Sequence, residues 1–88
     1  MNVYKQYLKV ESLQQIALPI IKIEEDIIKL GVSDGKPCLW FLAKNCCDKI
    51  VVIHSYMTGE KIPDNIELNY LGSYTLDSQI LIHVFAEY

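Results

Sequence analysis

The chain has 88 residues, a formal net charge of −3 and 51% apolar side chains, among them six Tyr, two Phe and one Trp. That length suits one domain, 1–88, which on folding hides roughly 60–65% of the surface its unfolded chain exposes. The acidic balance, with no basic run longer than one residue, speaks against direct binding of nucleic acid, which asks for a phosphate-neutralising stripe.

An acidic body suits the alternative of docking onto a basic surface of another protein. The apolar share is rich for so small a body. It implies a dense core or apolar surface covered by a partner or a second copy, beside the plainer account that every folded protein leaves apolar atoms outside. Residues 1–6, MNVYKQ, lack the apolar core of a signal peptide. No apolar run approaches the ~20 residues that cross a bilayer, so no membrane role is expected. Three cysteines, with Cys46 and Cys47 adjacent and Cys38 apart, make a poor disulfide framework. The expected setting is a reducing cytoplasm.

Along the chain, residues 3–10 alternate loosely, and residues 14–18 predict a short strand ended by Pro19. Residues 20–26 read two ways. Ile20, Ile23, Ile27 and Leu30 fit a helical stripe, whereas Ile28, Leu30 and Val32 fit a strand with one apolar face. A strand from about Ile27, preceded by a loop or a single helical turn, leaves the next turn its first arm. That turn is Asp34-Gly35, a strong hairpin signal, since Gly tolerates positive φ and Asp hydrogen-bonds its own turn. Residues 37–43, PCLWFLA, are apolar on both faces and predict a central strand, with Pro37 at its start where a missing donor is tolerated.

Residues 44–49 read as a turn, and residues 50–56, IVVIHSY, as a second two-faced strand. Residues 58–65 have the composition of a loop. Ile66, Leu68, Tyr70, Tyr74 and Leu76 are then expected on one face, and Gly72 in their midst marks a bulge or a close backbone approach. Asp77-Ser78 reads as the turn before a last strand over residues 80–86. Turn signals every eight to twelve residues or so are the spacing of sandwiches and small barrels. The expected fold is mainly β: a small antiparallel β-sandwich or partly open barrel of about six to seven strands, with at most one short helical turn near residues 20–26.

Tyr4-Lys5, Gln15-Ile16-Ala17-Leu18-Pro19, Asp34-Gly35, Cys38-Leu39-Trp40, Thr58-Gly59, Ile62-Pro63, Tyr70-Leu71-Gly72-Ser73 and His83-Val84-Phe85 occur in this order over nearly the whole chain. Each is short, and the ordered set carries the likeness. In it the chain resembles a family of short phage and prophage proteins that share a domain of unknown function. Those proteins carry a Cys-Leu-Trp strand, a Gly-Thr-Gly-His-Pro-Ile loop, a Tyr-Ile-Gly-Thr segment and a closing His-Val-Phe-Glu strand. The chain departs from that pattern where Glu60 replaces the family's loop His and Met57 the Gly before Thr. No role of that His carries over. The resemblance implies a phage-encoded β protein without assigned catalysis, working in the host cell cytoplasm. Phage proteins of this size often antagonise host defences.

Candidate sites are few. Cys46-Cys47 with His54 or His83 suggests a metal, but zinc sites use spaced pairs whose thiolates reach one tetrahedron, and adjacent cysteines point apart. No metal and no cofactor is expected. Cys38 lies in the most apolar strand, where burial blunts a thiol, and reads as a small core residue. His54 and His83 fall mid-strand, as structural histidines needing a partner or as pocket-wall residues. Glu24-Glu25-Asp26 reads as a solvated run or a patch for a basic partner.

The loop Thr58-Gly59-Glu60-Lys61 draws attention because loops on rigid scaffolds carry recognition. Thr58 and Lys61 offer a hydroxyl and a charge to a phosphate, though one Gly and one Lys do not make a phosphate loop. Tyr56, Tyr70 and Tyr74 are expected near it as flat contact surfaces, or else as core and rim aromatics. The expected function is non-enzymatic: antagonism of a host anti-phage defence component through protein–protein contact. The alternatives are an oligomeric sponge for a nucleotide-type signalling molecule and a phage structural or assembly protein. An enzyme comes last, since no nucleophile, base and orienter assemble from the sequence. The two-faced strands ask for cover on both sides, so a homodimer or higher homo-oligomer is expected.

Overall fold

A computed structural model describes residues 2–44, 48–76 and 79–88. In chain order it has β1 (Asn2–Tyr7), β2 (Leu13–Leu18), α1 (Ile23–Asp26), β3 (Ile27–Ser33), β4 (Lys36–Ala43), β5 (Lys49–Met57), β6 (Leu68–Thr75) and β7 (Leu81–Glu87). The strands form two antiparallel sheets, one ordered β1-β4-β3 and the other β2-β5-β7-β6, which do not close into a barrel. The expected mainly-β architecture is the one found. No helix among the described residues is long and apolar enough to cross a membrane.

The Asp34-Gly35 hairpin is the local device that sets the first sheet. Ser33 pairs with Lys36, and the two residues between them take φ of 54° and 74°. Positive φ at both central positions matches the turn to the right-handed twist of its strands. β4 then runs between β3 and β1, and β5 between β2 and β7, so both two-faced strands are central. Alternation sends Leu39 and Phe41 of β4 and Val51 and Ile53 of β5 inward. They join Leu8, Leu18, Ile20, Ile23, Leu30, Tyr74, Val84 and Ala86 in one core cluster. Each such side chain contributes on the order of 1.5–3 kcal/mol by leaving water.

The ambiguous segment resolves into one helical turn fastened by a buried acid. Asp26, 3% exposed, accepts the backbone N–H of Ile21 at 2.8 Å and of Lys22 at 3.1 Å, and its other oxygen lies 3.5 Å from Lys44 Nζ. Burial alone pushes this carboxyl up. The two amides and Lys44 outweigh it and hold the carboxyl below its ordinary value of 3.8. Glu24 and Glu25 stay in solvent while Asp26 serves the fold. Ile20, Ile23 and Leu30 all face inward, so the apparent helical stripe spans a turn and a strand.

Two bulges correct the expected faces. The register of β3 on β4 shifts between Ile27 and Lys29, so Ile28 falls out of the apolar alternation and stands 53% exposed. In β6 the register shifts between Tyr70 and Gly72. A bulge adds one residue to a strand and so inverts the faces beyond it. Tyr70 consequently points outward and Tyr74 inward, although both even-numbered positions were expected on one face.

Candidate functional site

The outward face of the four-stranded sheet gathers most of the sequence-predicted residues. Register places His54 opposite Phe85 and Phe85 opposite Tyr70; the next row holds Tyr56, His83 and Ser73. Leu13 stands opposite His54 on β2, and Leu68 opposite Glu87. These positions share a face because side chains on neighbouring strands keep their side of the sheet when directly paired.

The rings form a continuous plate. His54 and Tyr56 lie nearly parallel, at 11° with centroids 6.3 Å apart. Tyr56 meets Phe85 edge-on at 6.0 Å, and Phe85 meets Tyr70 at 5.2 Å. Tyr70 is 55% exposed, and two further exposed aliphatic residues share the sheet face, Leu13 opposite His54 on β2 and Leu81 on β7. Contacts of this kind contribute about 0.5–1.5 kcal/mol per pair beyond burial, which holds the rings in place before any partner arrives.

Polar anchors fix the histidines. His54 Nε2 is 2.5 Å from Glu87 Oε2, and Tyr56 Oη is 3.4 Å from His54 Nδ1. A carboxylate only accepts, so Nε2 carries the proton towards Glu87, and the Tyr56 hydroxyl lies against the other ring nitrogen. Thr58 Oγ1 shares a hydrogen bond of 2.8 Å with His83 Nε2, which ties the loop after β5 to this face. Glu60 folds back, its Oε1 accepting the N–H of Met57 at 2.7 Å while its own N–H donates to Met57 O at 3.0 Å. Glu60 therefore closes the loop upon itself.

His54, Tyr56 and Tyr70 thus share one face, and Thr58 joins it through His83, whereas Gly59, Glu60 and Lys61 continue the loop and are exposed. Tyr74 does not join them. It is 5% exposed in the core, and burial pushes its phenol up. With Val10, Ser12, Ser55, Met57, Ile82 and the loop residue Glu60 it lines a cavity of about 270 Å³ at the core's margin, so Glu60 falls with Tyr74. Sequence reasoning missed Phe85 and Glu87. Their only signal was alternation with His83 along the last strand.

Cys38 is fully buried, and burial pushes its thiol up, with Lys5 and Lys29 pulling it down and Asp34 pushing it up. It is a packed side chain, as expected. Among the described residues no group of three or more His, Cys, Asp or Glu is placed to hold a metal ion. The question of Cys46-Cys47, like the expected turn at Asp77-Ser78, lies outside the described residues.

Fold and face together define a small open two-sheet β protein with an ordered aromatic plate on one side. The chain belongs to the family described as domain of unknown function DUF7352, whose profile covers residues 1–88. No protein of curated function and no solved structure matches it.

Proposed function

We propose that this chain is a non-enzymatic binding protein that engages a partner protein through the aromatic face of its four-stranded sheet. One observation carries the reading. The rings of His54, Tyr56, Phe85 and Tyr70 stand in a connected row on an outer sheet face, with Tyr70 exposed at one end and Leu13 exposed beside His54. Contiguous exposed apolar surface of this kind marks interaction sites, and Tyr is enriched among residues that dominate binding energy. The hydrogen bonds of His54 and His83 hold the face in one arrangement, which lowers the ordering cost of association.

The resemblance to phage and prophage proteins supports the choice of partner: a host protein, with a component of an anti-phage defence foremost, whose function is blocked when its surface is covered. The host cytoplasm is then the place of action. The nucleotide-sequestering alternative has less support. In the loop it would use, the Thr58 hydroxyl is engaged by His83, the Met57 amide by Glu60, and a carboxylate sits where a phosphate would need donors.

The test is capture from host lysate with the immobilised chain and with Tyr70→Glu, whose side chain is exposed and whose replacement leaves the core intact. The reading expects a partner retained by the parent and lost by the variant. A partner held equally by both would overturn it.

A further inference from the structure

The opposite side of the molecule carries a second face of different chemistry. Strands β1, β3 and β4 contain Lys5, Lys29 and Lys36 and not one Asp or Glu. Register sets Lys5 and Lys29 directly opposite Trp40, one from each neighbouring strand. Lys36 shares that face, being four residues before Trp40 on the same strand. On a chain of net charge −3, three of its eight basic side chains thus share one sheet surface.

The ammonium groups lie against rings. Lys29 Nζ is 5.3 Å from the Trp40 centroid, while Lys5 Nζ at 4.9 Å and Lys36 Nζ at 5.5 Å both approach Tyr7. Two cations brought to one ring repel each other, and an anion placed between them offsets that repulsion. The carboxylate at hand is Asp34, in the turn at the edge, whose Oδ2 accepts from the Tyr7 hydroxyl at 2.8 Å. Lys5 Nζ also donates to Ser33 Oγ at 3.0 Å. Trp40 leans over Gly31, where a β-carbon would come within 3.1 Å of its Cζ3. The missing side chain lets the indole lie close to the sheet, with Lys29 beside it.

We infer that this face binds single-stranded nucleic acid, with Lys5, Lys29 and Lys36 swinging from the rings to phosphates and so freeing faces of Trp40 and Tyr7 for bases. Interleaved cations and aromatic rings on an open sheet are the arrangement that such strands use, because every base has a π-face and every nucleotide a charge. The charges are spread over three strands about 4.8 Å apart rather than gathered around a cavity, which suits an extended polymer over a free nucleotide. An acidic polypeptide would use the lysines and leave the rings idle. The absence of a basic run in the sequence is no obstacle. Residues on one face of a strand are never adjacent, and these three come from three strands.

Trp40 is the sole tryptophan, so its emission reports on this face. The full chain is titrated with oligothymidylate and oligouridylate, following Trp40 fluorescence at several salt concentrations. The inference expects quenching on binding and a slope of log K against log salt near about −2, as three single-strand phosphate contacts give. Lys5→Ser with Lys29→Ser should weaken binding about tenfold and make the slope shallower. Trp40→Leu, followed by a labelled oligonucleotide, should weaken it between about 5- and 150-fold. Circular dichroism confirms that these variants are folded. No binding at low salt, unchanged affinity of the lysine variant, or equal competition by duplex DNA or polyglutamate would each overturn it. Tyr70→Glu, on the other side, is expected to leave oligonucleotide affinity unchanged, so the two faces fail or succeed separately.

Discussion

Gly72 of β6 presses against Leu30 of β3: a β-carbon on Gly72 would lie 3.2 Å from Leu30 Cβ and 3.5 Å from its Cδ2. The two sheets meet here, and Gly72 also takes φ of 146°, a backbone conformation that L side chains rarely adopt. Gly72→Ala therefore meets both strain and overpacking. It should lower the stability of folding by about 1–3 kcal/mol, read as a lower urea midpoint at unchanged slope. A midpoint within error of the parent would show that the sheets tolerate a wider separation here.

Asp26 makes the fold acid-sensitive with a defined sign. Its carboxyl is held below 3.8 by the amides of Ile21 and Lys22 and by Lys44, against the upward push of burial. A carboxyl depressed in the folded state contributes stability that is present above its unfolded value and lost as pH falls through the folded one. The melting temperature should therefore decline as pH is lowered from about 5 towards and below about 3. Asp26→Asn, destabilised by about 1–3 kcal/mol at neutral pH because a neutral amide is a weaker acceptor for the N–H groups of Ile21 and Lys22, should show a flatter decline over the same range. Parallel pH profiles for parent and variant would assign the acid sensitivity elsewhere.

Cys38 should resist alkylation. With burial pushing its thiol up, little thiolate forms near neutral pH, and the sulfur is enclosed. In a Cys46→Ser, Cys47→Ser background, iodoacetamide labelling should proceed only at the rate of unfolding and become fast in denaturant. Rapid labelling of the native chain, followed by mass spectrometry, would contradict the packing described.

Glu87 and His54 form the polar clasp of the aromatic face. Their contact is partly solvent-exposed, so a double-mutant cycle with His54→Gln and Glu87→Gln should return a coupling of at most about 1 kcal/mol in stability. The larger expected effect is on order. Nitrogen chemical shifts of His54 should report the Nε2-protonated ring in the parent and a mixture of tautomers in Glu87→Gln. A mixed signal in the parent would mean that the clasp does not fix the ring.

Much of the fold was legible because it rests on short-range chemistry. Asp34-Gly35 declares its turn, Pro19 and Pro37 mark strand ends, and the doubly apolar runs around Leu39 and Val51 declare central strands. Gly72 marked a bulge or a close backbone approach, and the register does shift beside it, where it packs on the Leu30 side chain. The candidate site was legible only in part. Tyr56, Tyr70, His54 and Thr58 were named from composition and loop position. Tyr74 was misplaced because a single inserted residue reverses every face beyond it, and a glycine that signals a bulge does not say whether the faces invert after it. Phe85 and Glu87 went unread because their value lies in what they stand beside.

Side-chain alternation and turn chemistry, written in the sequence, determined that this chain would be ribbons with an apolar interior. Only the pairing of strands far apart in the chain decided which residues share a surface. His54 met Glu87 across 33 positions, and three isolated lysines met on one sheet. The reason is that periodicity of two is a local property, whereas register is a joint property of two strands, settled by bulges and by which faces can be buried together.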